Sequence, residues 1–219
     1  MGLIEDLIQE KWLRTPRIIQ AFKAVKRADF LPADIKNLAE LNEALPIGYS
    51  QTISQPLVVA FMLELLQPRT GEKILDIGAG SGWTSALLAH IVSGGKTNEK
   101  LKMKNERPQG KIIALELVPE LKEFGEKNVA RYNYIDRGRV QFVCADGSRG
   151  YKKEAPYDKI LCSAAAQKQA PPAWKRQLKI GGRIVTPIGA SIWLLIKKSE
   201  SEFEETEYPG FAFVPLIEK

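Results

Sequence analysis

Histidine is almost missing: His90 is the only one in 219 residues, and Cys144 and Cys162 are the only cysteines. One imidazole excludes a histidine-built metal site, and a Ser-His-Asp triad or a Cys-His pair is unavailable unless His90 itself acts. His90 lies in Ala86-Leu87-Leu88-Ala89-His90-Ile91, near the end of an expected helix, where its role is expected to be structural. Both cysteines fall at the ends of expected strands, away from any metal-ligand spacing, and are expected to be buried free thiols. No apolar stretch approaches the ~18 residues that cross a bilayer. The N-terminus Met1-Gly2-Leu3-Ile4-Glu5-Asp6 has no basic segment leading into an apolar run. A cytoplasmic protein without a membrane partner is the resulting expectation.

What is present is the balance of a globular protein, with 44% hydrophobic and 26% charged residues, which argues against wholesale disorder. The 32 basic and 26 acidic residues leave a net charge of +6. Much of that excess is local, since residues 94–111 hold six basic residues against Glu99 and Glu106. No aromatic residue is interleaved there, so the stretch reads as a solvated loop insertion over 93–110, and nucleic acid is not expected as a partner.

The pattern along the chain predicts one domain over 1–219, with a helical and active-site segment over 1–56 and an α/β core over 57–219. Leu3, Leu7 and Ile8 share a helical face, Pro16 opens a second helix that Pro32 ends, and Leu57 to Leu66 form a third. Five apolar segments then read as buried parallel strands: Lys73 to Ile77, Lys111 to Leu117, Val140 to Ala145, Lys159 to Ser163 and Arg183 to Pro187. Helical stretches over Thr84 to Val92, Leu121 to Tyr132 and Pro172 to Leu178 alternate with them. The fold class expected is a doubly wound, Rossmann-like α/β sheet, mostly parallel and preceded by N-terminal helices. A C-terminal antiparallel hairpin is expected from Ile192 to Ile196 and Gly210 to Leu216.

Asp76-Ile77-Gly78-Ala79-Gly80-Ser81-Gly82 carries an apolar strand into a glycine-rich turn and a helix. Glycines permit a sharp turn and close approach of backbone to ligand. The spacing G-x-G-x-G lacks the dinucleotide fingerprint, and Asp76 ahead of the first glycine repels phosphate while suiting a cationic amino acid, such as that of S-adenosylmethionine. Glu116 ends the second strand, placed to accept both ribose hydroxyls, 34 positions after Gly82 because of the insertion. After the third strand, Asp146 can reach an adenine amino group and Gly147 clears space for the ring. Alanine at Asp76, Glu116 or Asp146 is expected to weaken cofactor binding and leave the fold intact.

Together with Ala44-Leu45-Pro46-Ile47-Gly48-Tyr49-Ser50-Gln51-Thr52-Ile53-Ser54-Gln55-Pro56, these motifs resemble the protein-L-isoaspartate O-methyltransferase family over nearly the whole chain. Further matching stretches are Pro156-Tyr157-Asp158, Ser163-Ala164-Ala165-Ala166, Leu178-Lys179-Ile180-Gly181-Gly182-Arg183 and Phe213-Val214-Pro215-Leu216. The insertion after Ile91, the short ending and Trp83 in a position often tyrosine depart from the family pattern. The resemblance implies methyl transfer from S-adenosylmethionine to the α-carboxylate of L-isoaspartyl residues in damaged proteins and peptides, after which the ester collapses to a succinimide that reopens partly to aspartate. It implies that Gln51, Thr52, Ile53 and Ser54 contact the cofactor and that Thr52 to Ser54 lie between cofactor and substrate.

The chemistry agrees with the missing histidines. A carboxylate is already ionised at pH 7 and needs no general base, so positioning and partial desolvation are what remain to be supplied. Ser54 and backbone N–H groups around Ala164 and Ala165 can orient it, although Ser54 also reads as an N-cap for the helix entered at Pro56. Two other readings stay open at this point: a methyltransferase of the same class acting on tRNA or a small molecule, and a regulatory protein that keeps the nucleoside site without turnover.

Overall fold

A computed structural model of the protein describes residues 2–95 and 110–217. Leu3–Gln9 (α1) and Pro16–Ala24 (α2) are helical, the latter with proline in its first turn, where no N–H is missed. Two short 3-10 turns, Arg27–Phe30 and Ala33–Leu38, follow. The first third is not helical throughout. Leu45–Gly48 (β1) and Gln51–Ile53 (β2) form a small antiparallel hairpin, signalled by the alternation of buried Leu45 and Ile47 with exposed Pro46 and Gly48. Pro56–Leu66 (α3) then carries the buried Glu64, whose carboxylate accepts from the Arg14 and Thr15 N–H groups and the Thr15 hydroxyl, tying the start of α2 to α3.

The core elements follow as Lys73–Ile77 (β3), Trp83–Val92 (α4), Lys111–Glu116 (β4), Pro119–Ala130 (α5), Val140–Cys144 (β5), Tyr157–Cys162 (β6), Pro172–Gln177 (α6), Leu178–Ile188 (β7), Ser191–Lys197 (β8) and Phe203–Pro209 (β9). Among the described residues they build one seven-stranded sheet in the order β5-β4-β3-β6-β7-β8-β9. Pairing is parallel from β5 to β7 and antiparallel from β7 to β9, as the sequence predicts for the fold class. The chain runs outward from β3 to β5, then returns past β3 to β6. With right-handed crossovers that reversal sends the connecting helices to opposite faces of the sheet. Strand alternation matches: Ile74, Ile112 and Ala114 pack in the cluster shared with α2 to α5, whereas Leu75, Ile77, Ile113 and Leu115 pack with Trp174 of α6.

Two local expectations need correction. The second strand of the C-terminal hairpin is the polar run β9, not Gly210 to Leu216, because the edge of the sheet faces water and carries exposed Glu204, Glu205 and Glu207. The chain leaves that edge at Gly210, with φ +98, and residues 211–217 run elsewhere. Of the two thiols only Cys162 is buried; Cys144 is exposed because it ends β5, the other edge of the sheet. His90 is buried, with Nδ1 3.1 Å from the Tyr134 hydroxyl, and burial holds its pKa below the usual value. No helix among the described residues is long and apolar enough to cross a membrane. The basic insertion lies, over 96–109, outside the described residues.

Candidate active site

In a doubly wound sheet the crevice for ligands opens at the carboxyl ends of the strands where their order reverses, here beside β3. A cavity of about 390 Å³ occupies that place, within the ~300–1,000 Å³ typical of small-molecule sites. Its walls are the turns after β3, β4, β5 and β6, the segment 51–55 and the tail 212–217. Glu116 is the single charged side chain among the described lining residues, and no lysine, arginine or histidine joins it.

The turn after β3 needs its glycines for different reasons. Gly78, Gly80 and Gly82 have φ +73, +51 and +87, a region that side chains disfavour. Gly82 starts α4, and a Cβ there would lie 2.8 Å from the Gly125 carbonyl oxygen and from Val129 of α5. Gly78 and Gly80 face the cavity, while Gly82 is a packing glycine outside its lining.

The three acids have three different positions. Glu116 is buried at the cavity; one carboxylate oxygen accepts from the Gly80 N–H at 2.8 Å, and the other from Leu117 and Val118 at 2.8 and 3.0 Å. It holds the glycine turn onto the end of β4. Asp76 lies beneath that turn, outside the cavity lining and fully buried, and its Oδ2 accepts from the Thr84 and Ser85 hydroxyls of α4 at 2.8 and 2.6 Å. Its Oδ1 has no hydrogen-bond partner among the described residues. Burial pushes its pKa up to about 6, against the two hydroxyls that lower it, with Glu116 adding to the rise. Asp146 also stands outside the lining, where it caps the turn Gly147–Arg149 by accepting from the Ser148 N–H and hydroxyl at 2.9 and 2.7 Å.

Gly147 lines the cavity beside Ile77, and its missing side chain is required by packing, since a Cβ would come within 2.4 Å of Ile77 Cγ2. Gly147→Ala should therefore lower stability by about 1–3 kcal/mol through overpacking. In an Ile77→Ala background, itself less stable by about 2–5 kcal/mol for the lost core side chain, the further loss on Gly147→Ala should be smaller; an unchanged loss in thermal-shift measurements would contradict the Ile77 contact as the cause.

Gln51, Thr52, Ile53 and Ser54 all line the cavity. They hang from the β1–β2 hairpin, whose turn residues Tyr49 and Ser50 both adopt positive φ, +54 and +57, as a two-residue hairpin turn demands. Such a turn usually contains glycine or asparagine, so sequence gives little sign of it. Ser54 does not cap α3: the N-cap is Gln55, and the Leu57 N–H bonds instead to Asn42 Oδ1 at 3.0 Å. The Ser54 carbonyl is held by Arg27, a buried side chain that also donates to the carbonyls of Ala39, Leu41 and Glu43. The Arg27 guanidinium lies 5.5 Å from the centre of the Trp83 ring, and Trp83 is itself part of the cavity wall.

Ala164 reaches the cavity; Ala165 does not, because its backbone pairs with the tail, donating to Val214 O and accepting from Leu216 N–H, both at 2.8 Å. That pairing lays Phe213 to Leu216 along the cavity. Sequence reasoning gave the tail no site role, nor Trp83 or Arg27. For the tail the signal was present in Phe213-Val214-Pro215-Leu216; for Arg27 there was none.

Comparison with known proteins adds to this geometry. The family model of Protein-L-isoaspartate(D-aspartate) O-methyltransferase (PCMT) matches residues 1–219. A protein-L-isoaspartate O-methyltransferase of Methanopyrus kandleri is 39% identical across 98% of this chain and 89% of its own length. Protein-L-isoaspartate O-methyltransferase 2 of Archaeoglobus fulgidus is 41% identical across 98% and 90%. A Plasmodium falciparum structure described as a protein-L-isoaspartate O-methyltransferase in complex with S-adenosyl-L-homocysteine has a TM-score of 0.82 at 20% identity, covering 99% of this chain and 97% of the other; at that identity the likeness speaks for the fold. With the family match running from the first residue to the last and the relatives aligned over almost the whole chain, this protein belongs to the protein-L-isoaspartate(D-aspartate) O-methyltransferase family.

Proposed function

We propose that this protein, as one methyltransferase domain over 1–219, uses S-adenosylmethionine to methylate the α-carboxylate of L-isoaspartyl residues in damaged proteins and peptides, the step that initiates their repair. The observation that carries the reading is the cavity lining, one carboxylate with no cation and no imidazole. A phosphate-bearing ligand would meet Glu116 without a compensating charge, whereas a sulfonium cofactor meets an environment of suitable sign. The ligand named in the Plasmodium falciparum structure, S-adenosyl-L-homocysteine, is what S-adenosylmethionine becomes once its methyl group has been transferred. A cytoplasmic location without a nucleic-acid partner belongs to the same reading, supported by the aromatic-free basic stretch and by the absence of a membrane-crossing helix among the described residues.

The residues fit that cofactor. Gly78 and Gly80 bring backbone close to it, Glu116 offers a carboxylate to its ribose hydroxyls, and Ile77, Leu115, Leu117 and Val118 supply apolar surface for its base. The bound cofactor supplies an electrophilic methyl group next to a positive sulfur. The protein has then to hold a carboxylate in line with it and keep water away. Ser54 and the Ala164 backbone flank the place where that carboxylate would sit, and the tail residues Phe213 to Leu216 form a further part of the wall. No proton has to be removed from a substrate that is ionised at pH 7, which suits a lining without a basic side chain.

Paired peptides differing only in isoaspartyl against aspartyl linkage test the reading directly. Methylation of the isoaspartyl member alone is expected; transfer to tRNA with neither peptide methylated would replace it. Within this mechanism Ser54→Ala should slow single turnover on the isoaspartyl peptide tenfold or more, since about 1.4 kcal/mol of lost transition-state stabilisation is one decade in rate. The melting temperature should hardly change, because Asn42 rather than Ser54 caps α3. A wild-type rate would remove Ser54 from the mechanism.

A further inference from the structure

The crossover from β5 to β7 leaves a second, open groove of about 1390 Å³ on the α6 face of the sheet. It exceeds the ~1,000 Å³ upper end of small-molecule sites and has the size of a chain segment. One end starts at Ser148 and Gln167, beside Gly147 and Ala164 of the active-site cavity. The boundary between the two is firm: the Trp174 indole donates to the Gly147 carbonyl at 2.8 Å, and the Gln177 amide donates to the Arg149 carbonyl at 2.9 Å. The groove is lined by Arg149, Lys152, Lys168 and Arg176 and by no carboxylate. Arg149 is engaged with Asp146, at 3.6 Å, whereas the exposed side chains of Lys152, Lys168 and Arg176 have no ion pair among the described residues.

We infer that this groove binds an acidic stretch of the substrate polypeptide, flanking the isoaspartyl residue in the adjoining active site. The inference rests on the proposed function and adds a sequence preference to it. Charge complementarity identifies the sign of the occupant, and the shared wall identifies its source, because a chain passing Ala164 continues over Gln167 to Gln169. Exposed glutamine amides there can both donate to and accept from an extended backbone. Apart from Ser148 and Gln177, proline and alanine make up the rest of the lining, with no aromatic ring on which a nucleic-acid base could stack, which favours a peptide over RNA.

The test uses the full chain and isoaspartyl peptides that differ only in a run of glutamates or glutamines on either flank, measured at low and high salt. The acidic-flanked peptide should show a KM about tenfold lower at low salt, as a few exposed ion pairs acting together would give, and kcat should be unchanged. The triple variant Lys152→Ala/Lys168→Ala/Arg176→Ala, all exposed positions, should methylate the neutral peptide as the wild type does and lose the preference. Equal KM for both peptides in the wild type, or a preference that survives in the triple variant, would overturn the groove assignment while leaving the proposed function standing. An RNA oligonucleotide bound through the same three residues, without any peptide preference, would overturn it in favour of nucleic acid. Failure to methylate even the neutral isoaspartyl peptide would remove both the function and the groove's role in it.

Discussion

An Asp76→Ala variant should unfold with about 2–4 kcal/mol less stability than the wild type and bind S-adenosylmethionine more weakly as a consequence. Two buried hydroxyls, on Thr84 and Ser85, lose their acceptor, and each unsatisfied group costs about 1–3 kcal/mol. Those hydroxyls sit in the first turn of α4, so the damage reaches the glycine turn that faces the cavity. Sequence reasoning expected lost affinity with an intact fold; full burial of the carboxylate adds the stability loss. Its pH dependence has a definite sign. A folded pKa of about 6 against an ordinary 3.8 means that the folded state binds the proton more tightly than the unfolded chain does. The favourable contribution is fully present below pH 3.8 and is lost as pH rises through about 6, an effect of roughly 3 kcal/mol. Asp76→Asn has no such proton, so its stability relative to wild type should climb between about pH 4 and pH 7. Urea titrations of both proteins across that range measure the difference, and a pH-independent one would contradict the buried charged carboxylate.

The sheet was legible because strand alternation and the glycine turn are written in local residue types. Lys73 to Ile77 stands as expected, and the other core strands differ at their ends by a few residues, most at β7, which begins at Leu178 rather than Arg183. What escaped depends on long-range contacts. Nothing near Gly210 says that the tail will leave the sheet edge and pair with Ala165. The acids illustrate the same limit, since three carboxylates at three strand ends look equivalent in sequence. Only packing separates Glu116, at the cavity, from Asp76 beneath it and Asp146 in its capping turn. The role of Ser54 was ambiguous for a related reason: the competing cap comes from Asn42, a residue outside the helix it caps.

Arg27→Met should be strongly damaging, lowering stability by about 3–5 kcal/mol, because the four carbonyls that the guanidinium satisfies lose their donor, at about 1–3 kcal/mol for each one left buried and unpaired. The guanidinium spans four carbonyls, those of Ala39, Leu41, Glu43 and Ser54, at 2.6 to 3.2 Å, and no other side chain could serve all four. Burial lowers its pKa to about 10, so it keeps its charge at neutral pH. It thereby draws the chain between Ala39 and Ser54 onto the 3-10 turn Arg27–Phe30 and packs over Trp83. Because one acceptor is the Ser54 carbonyl, the loss should also appear in function. Single-turnover rates measured well below the variant's melting temperature should fall, even where the protein is fully folded. Arg27→Lys keeps the charge but has one nitrogen with three donors, too few for four carbonyls, and should recover stability only in part. Denaturation curves and single-turnover rates on both variants decide the matter: if Arg27→Met lost stability but kept the wild-type rate, Arg27 would be a brace for the N-terminal segment with no hold on the position of Ser54.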